Sequence, residues 1–337
     1  MKKFIIKVSY TILPIWLIFV VLATYIALSH SYSGDLGKLG FISFGHEYDQ
    51  FIEQNQLKDT LFSTIDNLDV LKSSYCDILT IGDSFSQQQN GGFQNYLAKQ
   101  GLRILNCNKN MYETPIPFSF ALLNEGVIDS TNVKVVIIEH VERDLIGAIR
   151  NFTYDYTIEN TFKPKEERQK KEVRYSLSRA RDFILFRTGI EESPVYEAKL
   201  KFPFFSSIDP HKLYFYFKDV NTDMNIKSEY TNKLLQLYDT LCSKAHHQGI
   251  RLIFLVAVDK YDLYQNYIIN NPFPRKTINE DLKQIFGDSP HLLLSKDYLL
   301  PLLDSGEKDV FLHNDTHWSY KASEVIAEEL YKRISRM

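Results

Sequence analysis

The chain has 337 residues, 44% of them hydrophobic and 24% charged, proportions that exclude a disordered protein and suffice for a large hydrophobic core. A formal net charge of −3 argues against nucleic acid as the main partner. The three cysteines, Cys76, Cys107 and Cys242, form no CxxC pair, which argues against a zinc knuckle or a disulfide framework and reads as buried, inert thiols.

Residues 1–7 carry Lys2, Lys3 and Lys7 and precede an uncharged apolar stretch over residues 8–29. That stretch predicts a single-pass transmembrane anchor, with its N-terminus in the cytoplasm and the remainder on the periplasmic or extracellular side of a bacterial inner membrane. A cleavable signal is the rival reading, because Ala27-Leu28-Ser29 offers a small-x-small site. Residues 30–65, interrupted by Gly34, Gly37, Gly40 and Gly45, read as a juxtamembrane connection.

From residue 66 to the C-terminus the pattern alternates between strand and helix. Buried strands are predicted at residues 77–81, 102–105, 133–138 and 251–258, each a nearly continuous apolar run. Helices are predicted at 93–100, 230–247 and 319–337, the first two stopped by Gly101 and Gly249. The expected fold is therefore α/β, a doubly wound parallel sheet covered on both faces. Residues 146–228 break the rhythm and read as an insertion or cap over the site. They hold a charge run (163–174), expected to be a solvated helix face, and the aromatic run 213–217.

The chemistry concentrates in two places. Gly82-Asp83-Ser84-Phe85 comes directly after the first buried strand, where an open parallel sheet places its reactive groups. A helix starting beyond Ser84 would offer free N–H groups to an oxyanion. His313-Asn314-Asp315-Thr316-His317-Trp318 precedes the last helix. A serine hydroxyl needs a base, which His317 supplies, and Asp315 can orient that base and stabilise its charged form. Ser84 is expected within reach of His317. His313 and His317 are also spaced as zinc ligands, but Asn314 stands where a zinc peptidase has its glutamate, so no metal is expected. His246-His247 reads as a cation at a helix C-terminus.

These blocks resemble SGNH (GDSL-like) hydrolases, which carry Gly-Asp-Ser at the first strand and an Asp/His pair before the last helix. The short Asp315-x-His317-Trp318 spacing resembles the branch that O-acetylates exported polysaccharides, the alginate acetylation proteins among them. Glu139-His140-Val141-Glu142-Arg143-Asp144-Leu145 and Val258-Asp259-Lys260-Tyr261-Asp262-Leu263-Tyr264 are similar to that branch as well. In the alginate proteins the Asp-x-His motif precedes the serine motif, and here the order is reversed, as in a circular rearrangement.

The resemblance implies a three-layer SGNH/flavodoxin-like sandwich and a Ser84, Asp315, His317 triad. The family's oxyanion Gly and Asn have no plain counterpart. Gly82, Asp83, Asn108 and Asn110 are oxyanion or substrate-binding candidates, with Asn106 a further candidate after the second strand. Glu142 and Arg143 are read as an ion pair shaping the site, and Trp318 as a substrate contact. The expected activity is transfer of an acyl group, acetyl foremost, to a hydroxyl of a cell-surface or secreted polysaccharide, with no dissolved cofactor. The acyl group would come from a multispanning acyltransferase. An esterase that removes acyl groups from glycan or lipid is the alternative, and a non-catalytic scaffold of an export complex the second.

Overall fold

Val, Ile and Leu with their neighbours pack on both sides of a pleated strand, and runs of them become the centre of this molecule. The computed structural model describes residues 2–29, 32–129, 131–163, 181–186 and 188–336. Strands β1 (Ser63–Ile65), β2 (Ile78–Ile81), β3 (Ile104–Cys107), β4 (Val135–Val141), β7 (Arg251–Ala257) and β8 (Leu292–Leu294) form a six-stranded sheet in the order β1-β3-β2-β4-β7-β8. All its pairings are parallel, and β4 and β7 match from Val135 opposite Arg251 to Val141 opposite Ala257. Strands β5 (Val195–Lys199) and β6 (Lys212–Tyr216) make a separate antiparallel pair.

Alternate residues of each strand enter opposite faces of the core. Ile78, Ile137, Ile253 and Leu255 lie in one apolar cluster, with Trp318 and Leu330. Leu79, Ile138, Leu252 and Val256 lie in the other, with Leu122 and Leu241. Helices Phe93–Lys99 and Tyr320–Arg336 pack against each other, and helix Ser228–His247 packs on β7. The four strands and three helices expected here are all present, with ends shifted by at most three residues.

Four strands were not expected: β1 and β8, each three residues long, and the antiparallel pair β5 and β6. Helix Pro115–Asn124 was also unexpected. All but its last residue is buried, so it has no polar stripe to give it a helical period. The aromatic run of residues 213–217 forms most of β6, and Leu213 and Phe215 point into the core. Beyond residue 163 the charge run, expected as a solvated helix face, lies outside the described residues.

The apolar stretch of residues 8–29 belongs to a 28-residue helix, Lys2–Ser29. Among the described residues no helix is long and apolar enough to cross a membrane, so the expected transmembrane span has no support in that form. Most of the described apolar side chains of this helix, including Leu13, Trp16 and Phe19, are exposed.

The glycine-punctuated connection is also ordered differently from a linker. Residues Gly34–Gly40 form a short helix, and Leu36, Phe44 and Tyr48 pack against Val195 and Tyr214 in a third apolar cluster.

Candidate active site

Strand β2 delivers Gly82-Asp83-Ser84 to the C-terminal edge of the sheet. Gly82 is required there by space: a Cβ would lie 2.1 Å from Ser86 Oγ and 2.4 Å from Glu139 Oε2. Its N–H donates to the Tyr112 hydroxyl at 3.0 Å, and that hydroxyl donates back to the Gly82 carbonyl at 2.6 Å. Gly82 N–H is therefore occupied, which corrects its reading as an oxyanion donor.

Asp83 is a clamp. Its carboxylate accepts from Phe85 N–H at 3.1 Å and from Val141 N–H at 2.6 Å, tying the serine turn to the end of β4. Ser84 opens a four-residue 3-10 turn, not the expected α-helix, and the N–H groups of Phe85 and Ser86 are both taken by Asp83. A single turn sums few peptide dipoles, so the helix dipole expected to aid an oxyanion at Ser84 is weak here. Ser86 donates to Glu139 at 2.9 Å. Burial first, then the charge of Asp83, pushes the Glu139 carboxyl well above the usual carboxylate range.

The loop before the last helix brings Asp315 and His317 together. His317 Nδ1 lies 2.5 Å from Asp315 Oδ1, and His317 N–H donates to the same oxygen at 3.1 Å. A carboxylate partner fixes the proton on Nδ1 and leaves Nε2 as a lone pair. Burial opposes charging of His317, but the Asp315 charge and hydrogen bond outweigh it and hold the imidazole above its ordinary value. Asp315 is held below the usual carboxylate range: burial works to raise it, and the His317 charge and hydrogen bonds prevail.

His317 Nε2 is buried and has no hydrogen-bond partner among the described residues. The Phe85 ring, next to Ser84 in the chain, stands edge-on to the His317 ring at 4.8 Å. The serine turn and the histidine thus meet, but the expected Ser84–His317 hydrogen bond is not made in this structure.

Three further groups hold the Asp315 loop. Lys260, fully buried, donates from Nζ to the carbonyls of Leu312, His313 and Asp315 at 2.7, 2.9 and 3.2 Å. Burial pushes this ammonium down to about 7, against the charges of Asp315 and Asp219. Asp35, from the glycine-rich connection, donates its N–H to Asp315 Oδ2 at 3.0 Å, and its own carboxylate lies 3.6 Å from His317 Nδ1. Leu36 and Gly37 N–H both donate to the Asn314 carbonyl, an approach so close that a Cβ on Gly34 would lie 2.2 Å from that oxygen. Tyr48 receives the His313 N–H at 2.8 Å.

His313 points away from His317. Its Nδ1 pairs with Ser207 Oγ, its Nε2 lies 2.8 Å from the Lys212 carbonyl, and its ring stacks on Phe205 at 4.1 Å. Burial, and then the Lys260 charge, pushes it down to about 2, so it stays neutral. The two histidines do not form a shared ligand pair. Asp35, Asp315 and His317 do bring one ligand atom each within 4.8 Å of one another, a set that could hold a cation only at the expense of the Asp315–His317 bond.

The remaining candidates divide. Asn108 caps the next turn by accepting from Asn110 N–H at 2.9 Å, and Asn110 is exposed. Asn106 is buried, with its oxygen accepting from Thr80 at 2.6 Å and from Gln94 at 3.3 Å. Asn106 and Asn108 line a cleft with Ser86 and Gln87. Trp318 is fully buried against Phe85 at 4.7 Å, so it is core and not a substrate contact.

Glu142 and Arg143 do not pair with each other, because neighbours on a helix face different ways. Arg143 reaches Asp219 at 3.2 Å, and Glu142 lies 3.5 Å from Lys276. Lys276 also pairs with Asp259, so the two motif islands after β4 and β7 interlock through one buried ammonium. Neither Asp35 nor Asp219 carried a signal in the sequence. Lys260 lay inside a motif but had no role there.

No family model matches the chain, and no solved structure matches it. Among curated proteins the chain is 30% identical over 120 residues to a probable alginate O-acetylase AlgJ of Pseudomonas fluorescens. That stretch covers 34% of this chain and 29% of the relative, so the chain spans under a third of the protein it matches.

Proposed function

We propose that this chain is an SGNH-type serine O-acyltransferase that acetylates hydroxyls of a polysaccharide. The observation that carries the reading is the oriented Asp315–His317 pair, whose buried Nε2 lone pair has no partner among the described residues and lies beside the Ser84 turn. An unsatisfied buried nitrogen carries a cost that a functional site repays. The distant likeness to an alginate O-acetylase supports the acyl class and a polysaccharide acceptor.

In the proposed cycle Ser84 Oγ attacks the acyl carbonyl while His317 Nε2 takes the hydroxyl proton. The donor's alcohol leaves with that proton, and the acyl group stays on Ser84. The acceptor hydroxyl then gives its proton to Nε2 and attacks, and Ser84 regains the proton as the new ester departs. Asp315 holds the imidazole and stabilises its charged form throughout. Closure of the Ser84–His317 hydrogen bond accompanies substrate binding in this scheme.

The location we propose is the outer side of a bacterial inner membrane, with helix Lys2–Ser29 attaching the chain to the lipid. Its exposed apolar side chains and the lysines Lys2, Lys3 and Lys7 at its start support that reading. A membrane-borne acyl donor fits the same arrangement.

The test is release of acetate from a chromogenic ester by the purified chain. Ser84→Ala should fold and lose activity by roughly 10⁴-fold or more. Equal activity with alanine at this position sinks the assignment.

A further inference from the structure

We propose that the cavity between β2 and β4 is the acceptor-sugar subsite, that His140 Nε2 receives a sugar hydroxyl there, and that the sugar is uncharged rather than a uronate. This deepens the acyl-transfer reading and rests on it.

The place comes from topology. Without β1 and in chain order, the sheet runs second, first, third, fourth, fifth, and the order reverses between β2 and β4. Open α/β sheets bind their ligands in the crevice beyond the strand ends at that reversal. A cavity of about 470 Å³ opens there, within the usual range for small-ligand sites. Asp83, the residue before Ser84, forms part of its wall, and His140, Asp144, Pro117 and Tyr156 form other parts.

The ligand chemistry comes from His140, which the proposed catalytic cycle does not use. It is only 5% exposed, yet it reaches the cavity from the end of β4. Its Nδ1 lies 2.9 Å from the Val141 carbonyl. A carbonyl can only accept, so Nδ1 carries the proton and Nε2 presents a lone pair. Among the described residues nothing donates to that nitrogen. Unlike His317 Nε2, this nitrogen is not sealed from solvent: it opens to the cavity, where a ligand hydroxyl can take the place of water as its donor. A sugar hydroxyl supplies one, and Tyr156 and Pro117 offer apolar faces to the sugar's C–H groups.

The charge of the sugar is set by the walls. Asp83, Glu113 and Asp144 line the cavity, and among the described residues no lysine or arginine does. Among the described residues the nearby cations are already paired: Lys163 is 3.6 Å from Glu113 at the rim, and Arg143 turns to the buried Asp219 at 3.2 Å. A uronate carboxylate entering this space would meet like charges, with no free counter-ion among the described residues. An uncharged hexose would not.

The experiment uses the full chain carrying Ser84→Ala, which can bind sugar without turnover. Methyl glycosides of glucose, galactose and mannose are compared with those of the matching uronic acids by saturation-transfer NMR and competition. At least one neutral glycoside should bind about tenfold or more tighter than its uronate counterpart. Adding His140→Ala should weaken that binding about tenfold.

Gly147→Leu is the second variant. Gly147 lines the cavity and a Cβ there meets nothing within 4 Å, so a leucine side chain starts in open space, enters the cavity and favours the helix. It too should weaken binding about tenfold.

Equal or tighter binding of the uronates overturns the sugar class. Binding indifferent to both variants overturns the site, and no binding of any neutral glycoside overturns the proposal whole. Failure of the acyl-transfer reading is seen separately, as ester hydrolysis that does not depend on Ser84.

Discussion

Replacing Lys260 by methionine keeps most of the side chain's length and removes three N–H donors from the loop that carries Asp315 and His317. The structure sets the size of the effect. Leu312 O keeps a second donor, Asp315 N–H at 3.3 Å, whereas the carbonyls of His313 and Asp315 have no other protein donor among the described residues. Two orphaned buried carbonyls cost about 1–3 kcal/mol each. Relief of the buried ammonium, whose desolvation is evident in its fall to about 7, offsets part of that. A net destabilisation of about 2–4 kcal/mol is expected. Urea unfolding of both proteins in the same detergent, below pH 7, measures it. The loop should also loosen around His317, lowering kcat for ester hydrolysis by at least about tenfold. A stability change under about 0.5 kcal/mol with unchanged kcat would refute the idea that Lys260 holds the loop.

Asp315→Asn removes the carboxylate that raises His317, so the rising limb of the pH–rate profile should move to lower pH and kcat should fall by roughly 10⁴-fold. The sign comes from catalysis by the neutral imidazole: a raised His317 delays activity to higher pH, and an unmoved limb would show that another group governs it. The same raised value makes His317's contribution to stability full below its ordinary 6.5 and lost as pH climbs through the folded value. Gly82→Ala drives a methyl onto Ser86 and Glu139 and should destabilise by about 1–3 kcal/mol in denaturant unfolding. A neutral result there means the β2 turn gives way. Lys276→Met strips the counter-charge from buried Asp259 and Glu142 and should cost about 3–5 kcal/mol, seen as a lowered melting temperature.

The features legible in the sequence were the local ones. Asp315, Thr316 and His317 sit side by side, and their chemistry is visible at three residues' range. The strands around Ile137 and Ile253 are long and continuously apolar, so both announced themselves. Strands β1 and β8 are each only three residues long, too short for any period to show. The oxyanion assignments failed at Gly82 because its N–H is spent on Tyr112, 30 residues away, and no spacing rule encodes such a partner. Glu142 and Arg143 looked like a pair because they are neighbours in sequence, yet their partners, Lys276 and Asp219, lie far along the chain. Asp35 is the clearest case. It stands among glycines that read as a linker, and only the fold brings it to Asp315, 280 positions away.

That docking of residues 34–37 on the Asp315 loop has a consequence for where the protein can work. Helix Lys2–Ser29 ends five residues before Gly34, whose backbone is pressed against Asn314. Five residues of fully extended chain span at most ~18 Å. Whatever surface takes hold of the end of that helix therefore holds the Asp315 loop on the same short leash. The reach of the candidate site is set by these few links, and lengthening them with inserted residues would move its working distance without touching a single side chain of the site.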